Sequence, residues 1–204
     1  MNPFKVLFHA FSEIILLNVL FLMTILLGVF IPAGAGMKAM FYVSDKIIDR
    51  ERATYVAKEY WTALKDGFLR STMIWFMFVA TGFLLYIAHK MGTEQGHVLL
   101  MSTSLVAMVL LGLYAVYVFA VMAQFKSDSI GRLFKNAFLL MASSPWALFK
   151  VAGSVVFTIL LFYLFSGTVL FSIGLFTVLT TLHLNKLFMP HKQQLTNTRN
   201  DSHA

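Results

Sequence analysis

Cysteine is absent from the 204 residues, which excludes disulfides, thiol nucleophiles and Cys-ligated metals. Charge is scarce. Asp, Glu, Lys and Arg make up 12% of the chain, about half the share of an average soluble domain. Only nine residues are acidic, and none falls inside a long apolar run. A carboxylate relay for proton or cation pumping is therefore not written into those runs. The nucleotide-binding patterns GxGxxG and GxxxxGK[ST] are missing, as are HExxH and GxSxG. What is plentiful is apolar: 59% of the residues are hydrophobic and 21 are Phe. Such a chain has too little charge to cover a soluble surface and too much hydrophobicity for disorder. It reads as a membrane protein. In that setting the formal charge of +7 reports orientation and anionic lipid, and no nucleic-acid partner.

A spanning helix needs about 20 mainly apolar residues. Five stretches qualify: 14–35, 71–88, 98–125, 146–165 and 168–187. The first ends in Pro32-Ala33-Gly34-Ala35-Gly36, where the missing proline amide hydrogen and two glycines should end or kink the helix at the inner interface. Its run is too long for the apolar part of a cleavable signal peptide. The last two come from one run, Trp146 to Phe188, divided at Ser166-Gly167. As one helix that run would be roughly 65 Å long, twice the hydrocarbon core. Charge counting agrees with the division. With five spans, 13 of the 16 Lys and Arg lie on one side and 2 on the other, Lys150 falling in a first turn. The positive-inside rule then places the N-terminus outside and the C-terminus inside. The fold class expected is all-α: a polytopic membrane helix bundle of five transmembrane helices plus cytoplasmic amphipathic helices. Residues 1–188 form a single integral membrane domain, and 189–204 a disordered tail low in apolar residues.

The polar stretch between the first two spans has helical periodicity. Met37, Met40, Phe41, Ser44, Ile47 and Ile48 follow one face, with Lys38, Asp45, Lys46, Asp49 and Arg50 between them. A second amphipathic helix places Val56, Tyr60, Ala63, Leu64 and Phe68 on one side, with Lys58, Glu59, Lys65 and Asp66 on the other. Helices of this kind lie in the headgroup plane or act as connectors under a bundle. They also serve as docking surfaces. The docking reading singles out Arg50, Arg52 and Trp61, because the segment mixes seven basic with five acidic residues around a large aromatic. Mixed charge suits a protein partner or intramolecular pairing better than adhesion to anionic lipid alone. Ile130 to Met141 predicts a third, short interfacial helix, stopped by Ser143-Ser144-Pro145.

Chemistry-bearing side chains are few. His89, Glu94 and His97 share one outer loop but match no metal-ligand spacing, and a solvated loop accounts for them. Asn18, Gln124 and His183 read as interhelical or interfacial hydrogen bonders. Gly167, Gly174 and Thr181 recur every seven residues, a packing stripe, while Trp75, Tyr86, Trp146 and Tyr163 read as interfacial anchors. No catalytic, cofactor or metal residue is assigned.

Several short pieces appear together in a fixed order: Asn18-Val19-Leu20-Phe21-Leu22, the Pro32–Gly36 break, Ala39-Met40-Phe41-Tyr42-Val43 with Lys46, Arg50 and Glu51, then Tyr60-Trp61, Leu64-Lys65 and Phe68. Tyr117-Val118-Phe119, Ala123-Gln124-Phe125 and Lys135-Asn136-Ala137 follow. In this order the chain resembles the YesL family of bacterial integral membrane proteins, a domain of unknown function. It departs from that pattern at Leu64, where the family favours Phe, at Gly67, where it favours Asn, and at Ala120, where Pro is frequent. The family has no assigned catalytic site, so the resemblance carries over no catalytic residue. It implies a bacterial cytoplasmic membrane protein accessory to carbohydrate uptake or its regulation. The partners it implies, besides membrane lipids, are an ABC-transporter permease or a sensor kinase. The competing expectation is a small transport protein or substrate-binding membrane subunit, which would need a polar cavity.

Overall fold

The structure, a computed structural model, describes residues 3–28, 30–49, 55–125, 129–164 and 171–185, and of these all side chains except those of residues 3–10 and 49. Eight helices are present among the described residues and no strand. They are α1 (Pro3–Leu27), α2 (Ala33–Asp49), α3 (Val56–Lys65), α4 (Phe68–Glu94), α5 (Val98–Gln124), α6 (Ile130–Ser143) and α7 (Pro145–Leu164), followed by α8 (Phe171–Asn185).

Three helices, α4, α5 and α7, are long and apolar enough to cross a membrane. The two other expected spans correspond, among the described residues, to shorter apolar stretches: Phe11–Leu27 within the 25-residue α1, and Phe171–Asn185. The expected first span, 14–35, is not one helix. α1 stops at Leu27, residues 28 and 30–32 turn, and Ala33 opens α2. The break therefore comes earlier than the Pro32–Gly36 cluster. Pro32 ends the turn, its carbonyl accepting from Gly36 N at 2.8 Å. Pro is well tolerated at the start of a helix, where its missing N–H would have had no partner.

The two glycines taken for breakers lie inside the first turn of α2, and their purpose is close approach. A Cβ at Gly34 would sit 2.5 Å from Ser71 O and 2.6 Å from Trp75 Cβ of α4. One at Gly36 would sit 2.9 Å from the Phe21 ring of α1. With Ala33, Ala35 and Ala39 they let α1, α3, α4 and α5 all pack on one helix, as small residues do at helix contacts. Ala35, Ala39, Met40, Phe41, Val43 and Ser44 are fully buried. α2 is thus a central helix of the described fold, packed on several sides by other helices.

Two cores meet on α2. Leu17, Leu20 and Phe21 of α1 join Met40 and Val43 of α2 and Val56, Tyr60 and Leu64 of α3. On the other side Phe41 joins Ile74, Phe78, the Val116–Met122 stretch of α5, and Leu133 and Ala137 of α6. Phe78 is the hub of the second core. Its ring lies 6.0 Å from Tyr114, 6.2 Å from Phe119 and 6.0 Å from Phe134, in tilted geometries that suit ring quadrupoles. Tyr114 Oη donates to Phe134 O at 2.8 Å, which ties α6 to α5. The expected helix before Ser143-Ser144-Pro145 is present as α6; Leu133 and Ala137 of its apolar side are buried, while Ile130 and Phe138 are exposed. α8 seats on α1 and α2: Gly174 N donates to Asn18 Oδ1 at 3.2 Å, and Ser44 Oγ donates to Thr177 Oγ1 at 3.2 Å.

Candidate functional site

Two ion pairs join α2 and α3 and show that α3 runs back along α2: Lys46 with Glu59 at 2.6 Å and Lys38 with Asp66 at 3.2 Å. The α3 stripe of Val56, Tyr60, Ala63 and Leu64 is buried, as its spacing predicts. Phe68 lies past the Gly67 turn, begins α4 and is exposed.

Lys38 is 6% exposed. Its ammonium donates to the carbonyl of Asp66 and to the same residue's carboxylate, so it caps the C-terminal end of α3 where the helix dipole favours a cation. Gly67 follows with φ of 63°, the left-handed conformation that glycine adopts without penalty, and the chain turns into α4. Lys46 also sits over the Tyr42 ring, 4.7 Å from its centroid. Partial burial pulls the Lys46 pKa down, but hydrogen bonds to Glu59 and Tyr42 outweigh it and the net shift is upward. Tyr60 Oη donates to Thr24 Oγ1 at 3.0 Å, and Thr24 donates to Leu20 O at 2.8 Å. Burial pushes the Tyr60 hydroxyl up to about 12, so it stays a donor throughout the neutral range.

These pairings account for two of the segment's five acids. Glu59 and Asp66 are held by Lys46 and Lys38. The outward ridge of α3 is left with Lys58, Trp61, Thr62 and Lys65, all exposed. Trp61 is 41% exposed, with its ring edge-on to Tyr60 at 6.0 Å and 81°. Of the three residues expected to dock a partner, Trp61 lies on this ridge. Arg50 and Arg52 lie outside the described residues, as does the tail from 189.

The outer-loop residues do not converge. His89 Nδ1 lies 3.0 Å from Met101 O, turned toward α5, and Glu94 pairs with Lys90 at 3.8 Å. Among the described residues no group of three His, Asp or Glu side chains is placed to hold a metal. Asn18 and His183 bond locally or between helices, His183 Nδ1 to Leu179 O at 2.6 Å. The sequence reading missed Lys38 as a buried cation. Its signal was present: it is the one charge in the first half of a helix whose other residues there are small or apolar.

Residues 14–88 match the family described as Protein of unknown function, DUF624. The matched stretch runs from α1 through α2 and α3 into α4, so it contains the whole α2–α3 unit and its seat on Ser71 and Trp75. No curated protein and no solved structure matches the chain.

The Lys38–Asp66 pair gives an asymmetric prediction. Lys38→Met replaces a buried cation with an apolar chain of similar length and leaves behind only Asp66, which is exposed to solvent, so its cost should be small. Asp66→Leu leaves the ammonium buried with only a carbonyl and should cost about 1–3 kcal/mol. The pair cost is kept at that level because Asp66 is itself largely exposed, and solvent screens it. Thermal unfolding in detergent should rank Asp66→Leu below both Lys38→Met and the double variant.

Proposed function

We propose that this is a non-catalytic integral membrane protein that presents the outer ridge of α3 to a protein partner. The observation that supports this is the division of charge on α3. Glu59 turns to Lys46, and Asp66, itself exposed beyond the end of α3, pairs with the buried Lys38, while Lys58, Trp61 and Lys65 face outward unpaired with either acid. A half-exposed Trp between two lysines suits an acidic, partly apolar surface, and Trp is enriched where interfaces concentrate their energy. The YesL-like order of motifs favours a transporter permease or a sensor kinase as the partner, and hence a role accessory to carbohydrate uptake or its regulation in the bacterial cytoplasmic membrane.

A photo-crosslinking amino acid at position 61 tests the reading in native membranes. One discrete protein adduct is expected. Trp61→Ala should weaken recovery of that partner roughly 30-fold, corresponding to about 2 kcal/mol, at unchanged folded yield. Adducts to lipid alone, or a yield that falls in step with recovery, would leave α3 as a connector in the headgroups.

The second reading, a small transport protein or substrate-binding membrane subunit, is favoured by the hydroxyls between α1, α2 and α8. Ser44, Thr177, Thr180 and Thr181 are buried there. Against it, Thr177 and Thr181 bond back to the carbonyls of Gly174 and Thr177 at 2.8 and 2.7 Å, which is packing chemistry.

A further inference from the structure

We infer that the α1–α2 hairpin dips into the bilayer and leaves through the face it entered. Its apolar tip rests among lipid acyl chains, and Ser12 lies on the same side of the membrane as α3. The inference is independent of the partner proposed for α3.

The tip is built for hydrocarbon. No ionisable residue occurs from Ile14 to Met37. At the bend Leu26, Leu27, Phe30 and Ile31 are exposed by 78, 81, 68 and 51%. Four large apolar groups so exposed at one bend mark a surface that meets something other than water. Several backbone donors at the bend are paired within it. Gly28 N donates to Thr24 O, Phe30 N to Ile25 O, Ile31 N to Gly28 O and Ala33 N to Phe30 O, and Pro32 has no N–H. A bend in lipid must satisfy its donors internally, and these are satisfied. The two polar side chains of the stretch with known partners, Asn18 and Thr24, meet α8 and α3. The tip is also continuous with a lipid-facing surface. Gly34, two residues past Pro32, is seated between Ser71 and Trp75 of α4, and Met73, Phe76 and Met77 beside them are exposed on that span.

A full crossing by α1 conflicts with what flanks it. Phe21 touches Gly36 and Thr24 meets Tyr60, so α2 and α3 lie along its C-terminal half. The opposite face of α3 exposes Lys58, Lys65 and Asp66, and Lys46 pairs with Glu59 nearby. Were α1 to cross, these charges would be held at lipid depth, where charged side chains are strongly disfavoured. The stretch from 38 to 70 holds seven basic residues, which the positive-inside rule assigns to the cytoplasm. Ser12 is cytoplasmic with it, contrary to the outside N-terminus that five full spans would require.

The cysteine-free chain allows a direct test. Ser12→Cys, Thr62→Cys and Thr93→Cys all fall at exposed positions. In right-side-out vesicles an impermeant maleimide should label Thr93→Cys at least ten times more than the other two, and inverted vesicles should reverse the ratio for both. Labelling of Ser12→Cys in parallel with Thr93→Cys would overturn the hairpin. A bimane on Phe30→Cys should be quenched by brominated acyl chains and not by iodide. Quenching by iodide with none by bromolipid would remove the tip from the bilayer.

Discussion

Gly34→Leu should give no folded protein in membranes, and Gly34→Ala a protein with a markedly lower unfolding temperature. The atoms a side chain would meet at this position are a backbone oxygen, Ser71 O, and the Cβ of Trp75, at 2.5 and 2.6 Å. Neither can rotate away, so α2 and α4 must separate. Overpacking of this kind costs about 1–3 kcal/mol even for small additions, out of a total stability of about 5–15 kcal/mol. Because α2 also carries α1, α3 and α5, a shift there disturbs both cores. Gly112 and Gly153 provide the opposite sign. A Cβ at either meets nothing within 4 Å, so Gly→Ala in those helix interiors should stabilise by up to about 1 kcal/mol. Folded yield by size exclusion and the thermal midpoint would show both effects. A Gly34→Ala protein as stable as wild type would refute the packing argument.

Phe119→Ala should cost about 3–5 kcal/mol, the range for deleting a buried aromatic. Phe119 has no exposed surface. It bridges Trp75, at 6.5 Å, and Phe78, at 6.2 Å, and so joins the seat of α2 to the aromatic hub that holds α6. The variant should unfold well below wild type and loosen α6 as well as α5, visible as faster amide exchange around Phe134. It should not rescue Gly34→Ala. The Phe119 ring is only the third-nearest neighbour of a Cβ at 34, at 3.3 Å, and removing it leaves the two harder contacts in place. Rescue would mean that the ring, and not the backbone of α4, limits the approach of α2.

The membrane character, the all-helical class and the helices at α3, α4, α5, α6 and α7 were legible because each depends on periodicity or on the length of an apolar run, both local properties. The place of α2 was not legible. Ala33-Gly34-Ala35-Gly36 has the composition of a break, and only the presence of Ser71, Trp75 and Phe21 around it turns the same residues into a contact surface. Likewise the charges of 38–66 read as an open, mixed surface. Which acid faces which lysine depends on α3 folding back along α2, a tertiary fact. Gly67 was noted as a departure from the YesL pattern, which favours Asn there. Its φ of 63° is a conformation that Gly and Asn both enter at little cost. Of the residues expected to dock a partner, Trp61 was legible as an aromatic among charges, whereas its exposure required the fold.

The contact between Asn18 and Gly174 joins groups 156 residues apart in the chain. A ribosome adding about 5–20 residues per second needs roughly 8–30 s to make the second after the first. Through that interval α1 and α2 must persist in the membrane without the helix that later covers them. A chain halted after α7 would lack the groups on α8 that meet Asn18 and Ser44, Gly174 N and Thr177 Oγ1. The surface that α1 and α2 open is thus covered by α8 only once the chain has been made through Gly174.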